Sequence, residues 1–346
     1  MAGQALATQT EARVTALAEP RSSLTQRLSP SRGILRGVFR SRQSLRILCY
    51  HGVIADELVG ASWVPDYFVT QSQFREQMQI VRSFAQTVRL ADCYGESSNR
   101  KSASPRIAIT FDDVPACTFA YARPVLKELG ISATFYVSTG LVTSRRMPAA
   151  EIVQLLRAFP KMQKNASSPA LDEMCKHPNS HKTLSVETLQ RILSRVDGQV
   201  LTKAPQEAVH SLKPLSWLQL RTLVDEGHEV GGHTVDHAIL SRQTRATRTS
   251  QVAKCFEDIR KNLKLDPVGF AYPNGGPGDF DAADGDALDA SGFKYAVTTE
   301  AGFCTKDSSR FALPRVCIGM GHTRMRFMLE VSGLLDKRRR RQQGWT

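Results

Sequence analysis

No Cys-x-x-Cys pair occurs among the seven cysteines, which fall singly at positions 49, 93, 117, 175, 255, 304 and 317. An odd, scattered set argues against a disulfide framework and for a reducing compartment. No window approaches 18 uninterrupted apolar residues, so no membrane-spanning helix is expected. Gln4, Thr8, Gln9 and Glu11 stand where a secretion leader needs an apolar run, and the expectation is action in the cytoplasm. Aromatic residues make up only 7% of the chain, and no series of them interleaves the basic runs. A stacking platform for nucleic acid is therefore not expected. There is no internal repeat.

Acidic residues are in deficit, 33 against 46 Lys and Arg, for a net charge of +13. The excess lies at the ends. Residues 1–44 carry seven arginines against Glu11 and Glu19, and residues 337–346 carry Lys337 and Arg338 to Arg341 with no acid. Only +3 is left for residues 45–336. The two ends read as basic tails, 1–44 poorly ordered and 331–346 at the C-terminus. Each cation near an anionic lipid surface contributes about 1 kcal/mol of attraction, so peripheral membrane contact through the tails is one expectation.

A chain of 346 residues is ample for a large core, and between the tails the alternation of elements argues α/β. "LRILCYHGV" (45–53) is an apolar strand that ends on Tyr50, His51 and Gly52. Either His51 is a packed core residue or it points into a working site. Phe74, Met78 and Val81 recur at helical spacing in 71–84, "RIAITF" (106–111) reads as a strand, and "YARPVLKELG" (121–130) as a helix stopped by Gly130. "SATFYVSTG" (132–140) is the next strand. Residues 144–213 hold helical pieces around a polar loop and read as a helical insertion. After it come a helix capped by Ser216, the strand end "EVGGHT", a long helix over 238–264, and strands in "VGFAYP", "KYAVTT" and "FALPRVCI". Strands alternating with helices predict a parallel (β/α) barrel.

Two distant motifs carry chemistry: "TFDD" (110–113) and "HTVDH" (233–237). If the chain turns helical at the second, His233 and His237 lie on one face and can share one ion. Two His and one carboxylate with a position left open is a catalytic zinc arrangement, and Asp112 or Asp113 can supply the carboxylate. On a regular strand these two aspartates face opposite ways, so serving one site requires a bend. Opposite roles suit them: one ligates, the other takes a proton from water made acidic by the metal. In "GFAYPNGGPG" (269–278), backbone N–H groups can cradle an oxyanion.

"ITFDD", "GGHTVDH", "FAYPNG" and "LPR" occur in this order, and together they resemble the polysaccharide deacetylases of the NodB-homology type, carbohydrate esterase family 4. "LCYHGV" is similar to the opening of a branch whose first strand ends Tyr-His. The resemblance spans about 45–330. It implies a distorted (β/α) barrel of about seven strands. It also implies metal-dependent removal of N-acetyl groups from N-acetylhexosamine units of a glycan, in exopolysaccharide synthesis close to the membrane. By residue, it implies Asp112 as general base, Asp113, His233 and His237 as ligands of a divalent ion (zinc first, then cobalt or nickel), and the Asn274 N–H as oxyanion donor.

Three departures stand out. Ala271 occupies the place where an arginine commonly braces the catalytic aspartate, and Arg315 of "LPR" is the candidate replacement. Val114 follows the Asp pair where glycine is usual. The late region offers only His322, outside the usual context of a catalytic acid, which leaves that role to His51. Rival readings are an O-deacetylase or non-sugar amidase on the same scaffold, and a carbohydrate-binding pseudoenzyme. Cys175, His177, His181, His228 and Trp217 read as bland.

Overall fold

The computed structural model describes residues 45–94, 105–163, 168–177, 179–194 and 203–344. Ten strands occur among them: β1 (Leu45–Tyr50), β2 (Val53–Ile54), β3 (Val69–Thr70), β4 (Gln86–Thr87), β5 (Arg106–Phe111), β6 (Thr134–Val137), β7 (Glu229–Gly232), β8 (Gly269–Ala271), β9 (Tyr295–Val297) and β10 (Val316–Cys317). Seven form one parallel path in the order β10-β1-β5-β6-β7-β8-β9. β4 pairs with the start of β5, and β2 pairs with β3 in a separate ribbon. The path is the expected distorted barrel. β9 and β10 do not pair directly. A parallel bridge between Val297 and Leu313 closes the seam, with Thr298 N–H donating to the Leu313 carbonyl at 2.9 Å.

Strands buried on both faces read as continuous apolar runs, and β1 is buried at every position. Its pleat sorts the side chains. Leu48 and Tyr50 face the helices with Phe74, Phe111 and Phe135, while Leu45 and Ile47 face the lumen with Ala108, Tyr136 and Val297. Gly52 is required because the Phe68 ring lies 2.3 Å from where a Cβ would stand. The helix over Gln71–Phe84 starts at Thr70, whose hydroxyl accepts from Gln73 N–H. Gly130, in the left-handed region, closes the helix Arg123–Leu129, and Ser216 and Gln219 form a capping box on Trp217–Asp225. The long helix expected from 238 begins only at Arg245, where Thr244 caps it; residues 240–242 make a 3-10 turn instead.

The region 144–213 has its own core. Met147, Ile152, Leu155, Leu171 and Leu212 pack with Ile54, Leu58, Trp63 and Phe68 of the segment after β1. Its exit is tied to the strand end that carries the two aspartates: Ala116 N–H donates to the Lys213 carbonyl at 2.7 Å and Leu215 N–H to Val114 at 3.2 Å. The insertion is thereby fixed over the mouth of the barrel.

The C-terminal end differs from the tail expected there. Asp336–Gln343 is a helix. Arg46 of β1, fully buried, donates to both Asp336 oxygens at 2.6 and 2.8 Å and lies 4.5 Å over the Phe303 ring. Arg339 bonds Glu330 at 2.9 Å, and Arg340 pairs with Glu300 at 2.7 Å. Two of the five terminal cations are thus engaged within the protein. The basic tail expected at 1–44 lies outside the described residues. Among the described residues, no helix is long and apolar enough to cross a membrane.

Removing Asp336 leaves a buried guanidinium without its counter-ion. Asp336→Ala should lower unfolding stability by about 3 kcal/mol in denaturant titration, and Arg46→Met with Asp336→Leu should recover most of it. Equal loss in the single and double variants would refute the ion-pair account.

Candidate active site

All the sequence-predicted site residues but Arg315, which immediately precedes β10, sit at a C-terminal strand end or just beyond one, the end where barrels of this kind build their sites. A cavity of about 730 Å3 opens there, lined by His51, Asp112, Asp113, His233, His237 and Asn274. Arg315 lies behind Asp112.

Asp112 continues the inward alternation of β5 after Ala108 and Thr110. It is buried, and both its oxygens are taken by the Arg315 fork, Nη1 to Oδ1 at 2.7 Å and Nη2 to Oδ2 at 2.6 Å. Arg315 is itself fully buried and also donates to the Thr298 carbonyl at 2.8 Å and to Thr110 Oγ1 at 3.2 Å. Burial alone pushes the Asp112 carboxyl up, but the charge and hydrogen bonds of Arg315 outweigh it and hold the group well below the usual carboxylate range. The carboxylate is therefore ionised and aimed.

Asp113 reaches the same cavity because the chain bends: Asp113 and Val114 adopt φ of 60° and 42°. For a β-branched residue this is strained backbone, costing about 1–3 kcal/mol. Valine at 114 therefore keeps the left-handed turn that glycine would make freely, and its side chain is buried in the core.

His233 and His237 are not on a helix, as the four-residue spacing had suggested. Residues 234–236 form a turn after β7, with Thr234 and His237 at φ of 63° and 56°. The turn brings the two rings to 4.9 Å between centroids. His233 Nδ1 lies 2.7 Å from the Ala271 carbonyl, which can only accept. Nδ1 therefore carries the proton and Nε2 presents its lone pair. Burial pushes the His237 imidazole down to about 4, against the pull of Asp113, so it too is neutral near pH 7. Nε2 of His237 and of His233 lie 3.2 and 3.7 Å from Asp113 Oδ1, a buried oxygen with no hydrogen-bond partner.

Asp113, His233 and His237 offer three ligand atoms within 4.8 Å of one another. Two neutral imidazoles and one unpartnered carboxylate oxygen fit a divalent ion with a position left open. Cys49, His51 and Asp112 also cluster within 4.8 Å. They fit less well: Asp112 is held by Arg315, and burial pushes the Cys49 thiol well above its ordinary value, which disfavours the thiolate a metal needs.

His51 follows Ile47 and Cys49 on the lumen side. It is half-buried, with its ring 5.0 Å from that of Tyr67 and a buried, unpartnered Nδ1. Asn274 lines the opposite side at φ of 62°, its side chain donating to Asp279. His322 stands away from the cavity, between Gly319 N–H at 3.0 Å and Arg339 at 3.0 Å. Trp217 donates to Thr143 at 3.1 Å and does not line the cavity, and His228 accepts from Ala133 N–H at 3.1 Å. His181, read as bland, does line it.

Tyr67 and Glu151 were not legible in the sequence. The Tyr67 hydroxyl donates to Glu151 Oε1 at 3.1 Å. Burial, and secondly the charge of Asp113, push the Glu151 carboxyl up to about 8.

Residues 99–295, more than half of the chain, match the family profile described as polysaccharide deacetylase. The chain belongs to the polysaccharide deacetylase family. As a member it is a hydrolase of the deacetylase type. The fold is similar to that of Streptococcus pyogenes deacetylase PplD in complex with acetate, with a TM-score of 0.57 and 18% identity over 83% of this chain and 98% of that one. IcaB from Ammonifex degensii gives 0.55 and 18% over 84% and 97%. The BpsB deacetylase domain from Bordetella bronchiseptica gives 0.52 and 15% over 80% and 97%. At these identities the likeness is one of fold. No curated protein matches the chain.

Two outcomes follow from the site. Zinc added to metal-stripped protein should raise the thermal midpoint, with about 4 kcal/mol of stabilisation at a thousandfold excess over Kd. Asp113→Asn or His237→Ala should abolish both this shift and the bound metal measured by emission spectrometry. The second concerns Glu151. The folded state keeps a proton that the unfolded chain releases above about pH 4.5, so stability falls as pH rises from there to about 8. In metal-stripped protein, Glu151→Gln should gain on the parent by up to about 1 kcal/mol per pH unit across that window. A constant difference between pH 5 and pH 8 would mean the carboxyl is already ionised.

Proposed function

We propose that the chain removes N-acetyl groups from N-acetylhexosamine units of a polysaccharide or its precursor, releasing acetate and a free amine. One observation carries the reading: the Asp113, His233 and His237 ligand atoms, with an unpartnered carboxylate oxygen, share a cavity with the Arg315-held Asp112. Asp113, His233 and His237 would hold the ion, with zinc the first choice and cobalt or nickel next. Bound there, the ion supplies Lewis acidity to the acetyl carbonyl and acidity to water.

The chain's own groups do the rest. Asp112, kept ionised and oriented by Arg315, takes a proton as water attacks the carbonyl carbon. The Asn274 N–H, presented by its left-handed backbone, donates to the carbonyl oxygen as negative charge develops there. The C–N bond breaks as His51 gives a proton to the departing nitrogen; imidazole is the side chain suited to this near neutral pH. His51 is well placed for it, since its ring nitrogen lies within 4.8 Å of an Asp112 oxygen on the cavity wall. Arg315 stands in for the arginine absent at Ala271 by reaching the same carboxylate from the far side of the closure seam.

The test is acetate release from matched N- and O-acetylated oligosaccharides with zinc, cobalt or nickel present. Release from the N-acetylated series is expected. Asp112→Asn should reduce kcat about 10^3-fold and His51→Gln about 10^2-fold, both retaining bound metal. Release from O-acetylated substrates alone would reassign the reaction. The strained Val114 gives a pseudoenzyme reading its one support, and glycan binding without acetate under all three metals would establish it.

A further inference from the structure

Of the seven cysteines, all among the described residues, only Cys317 lines the cavity, and it is partly exposed there. It stands opposite Cys49: the two are Cα partners in the parallel pairing of β10 with β1. The preceding pair in the same register, Val316 and Leu48, faces the helices. By strand alternation both thiols therefore point into the lumen, beside Asp112, whose Oδ2 accepts from the Cys49 thiol at 3.5 Å. Paired residues on adjacent strands stand ~4.8 Å apart, within the ~4.4–6.8 Å that a disulfide spans between Cα atoms.

The seven thiols differ in reactivity for identifiable reasons. Burial pushes those of Cys117, Cys255 and Cys304 up to about 12 and also raises those of Cys49, Cys93 and Cys175. Cys317 goes the other way. A hydrogen bond from Cys49, and then the charges of Arg315 and His51, outweigh burial and hold its thiol below the ordinary range. The thiolate is the reactive form, and a partly exposed thiolate with a second thiol in reach is the arrangement found in redox-responsive pairs. The metal ligands and proton-transfer groups assigned above include neither cysteine.

We propose that Cys317 is a site of oxidation by small hydroperoxides, with Cys49 as its resolving partner. The Cys317 thiolate takes one oxygen from the peroxide. The O–O bond breaks, and the other oxygen leaves as hydroxide, which takes a proton from solvent. The sulfur gives two electrons to the peroxide and becomes a sulfenic acid. The Cys49 sulfur then attacks it, the S–O bond breaks, and the hydroxyl leaves with the Cys49 proton as water, giving a Cys49–Cys317 disulfide. The disulfide removes the Cys49 donor from Asp112 and so links oxidation to turnover; this last step rests on the deacetylase reading, and the thiol chemistry does not.

The full chain loaded with zinc is given a short pulse of iodoacetamide at pH 7 and mapped by peptide mass spectrometry. Cys317 should take label at least about tenfold faster than Cys93 and Cys175, the two other partly exposed cysteines. A second sample is treated with hydrogen peroxide, quenched with catalase, unfolded and blocked with N-ethylmaleimide. It should yield a peptide pair joining positions 49 and 317, which dithiothreitol separates. In Cys49→Ser the oxidised Cys317 should stay open and take dimedone, and Cys317→Ser should keep all its remaining thiols. Labelling of Cys317 no faster than of Cys93 and Cys175, or a peroxide-treated parent without the 49–317 link, overturns the proposal. Both are read on the parent, whatever the folding of the variants. Acetate release should be slower by about fivefold in the oxidised parent, recover with dithiothreitol, and be insensitive to peroxide in Cys317→Ser. Equal turnover in oxidised and reduced parent overturns the link to Asp112. No acetate from the reduced parent removes the deacetylase reading and leaves the oxidation site standing on its thiol measurements.

Discussion

The buried fork between Arg315 and Asp112 is the constraint on which the rest depends. Arg315 leaves the chain just before β10 and reaches two other strands: Thr298 beyond β9, and Thr110 and Asp112 in and just after β5. It therefore crosses the seam where β9 and β10 fail to pair. A charge pair removed from water repays its desolvation only when its remaining donors and acceptors are satisfied, and here four hydrogen bonds satisfy the guanidinium. The same contacts that close the barrel orient a carboxylate at its mouth. Closure and chemistry are one arrangement.

Around that carboxylate the backbone is repeatedly forced out of its relaxed regions. Asp113, Val114, Thr234, His237 and Asn274 all have positive φ, and all lie at strand ends around the cavity. Each bend breaks the period-two alternation that would send a side chain away from the lumen. The strain is held by packing: Val114 is buried with the helices behind β5, and Gln251 accepts from Val235 and Asp236 N–H groups within the histidine turn. A family scaffold that uses glycine after the aspartate pair is here retained with valine because that packing offsets the turn's cost.

The insertion and the segment 54–68 form a second core beside the barrel, and this core sets the shape of the cavity rather than its chemistry. It brings Tyr67 against His51 and Glu151 against Tyr67. The ion pair of Arg46 with Asp336 plays a similar part at the other end of the barrel, fastening the terminal helix to β1.

The alternation of strands and helices, the caps at Ser216 and Gly130, and the residue types of the metal site were legible in the sequence, because each depends on neighbours within a few positions. The two aspartates and two histidines could be named as a set from their motifs. The helical reading of His233–His237 failed because spacing alone does not distinguish a helix from a left-handed turn. Residues 336–343 read as a tail because their composition is basic; a buried partner 290 positions away, Arg46, makes them a docked helix. Tyr67 and Glu151 carried no local signal. Local periodicity and residue chemistry thus determined the barrel class and the ligand types. Only the tertiary structure decided that Arg315 holds Asp112 and that His51 stands beside it. Those facts arise from barrel closure and from packing between distant segments, where no residue's neighbours in the chain are its neighbours in space.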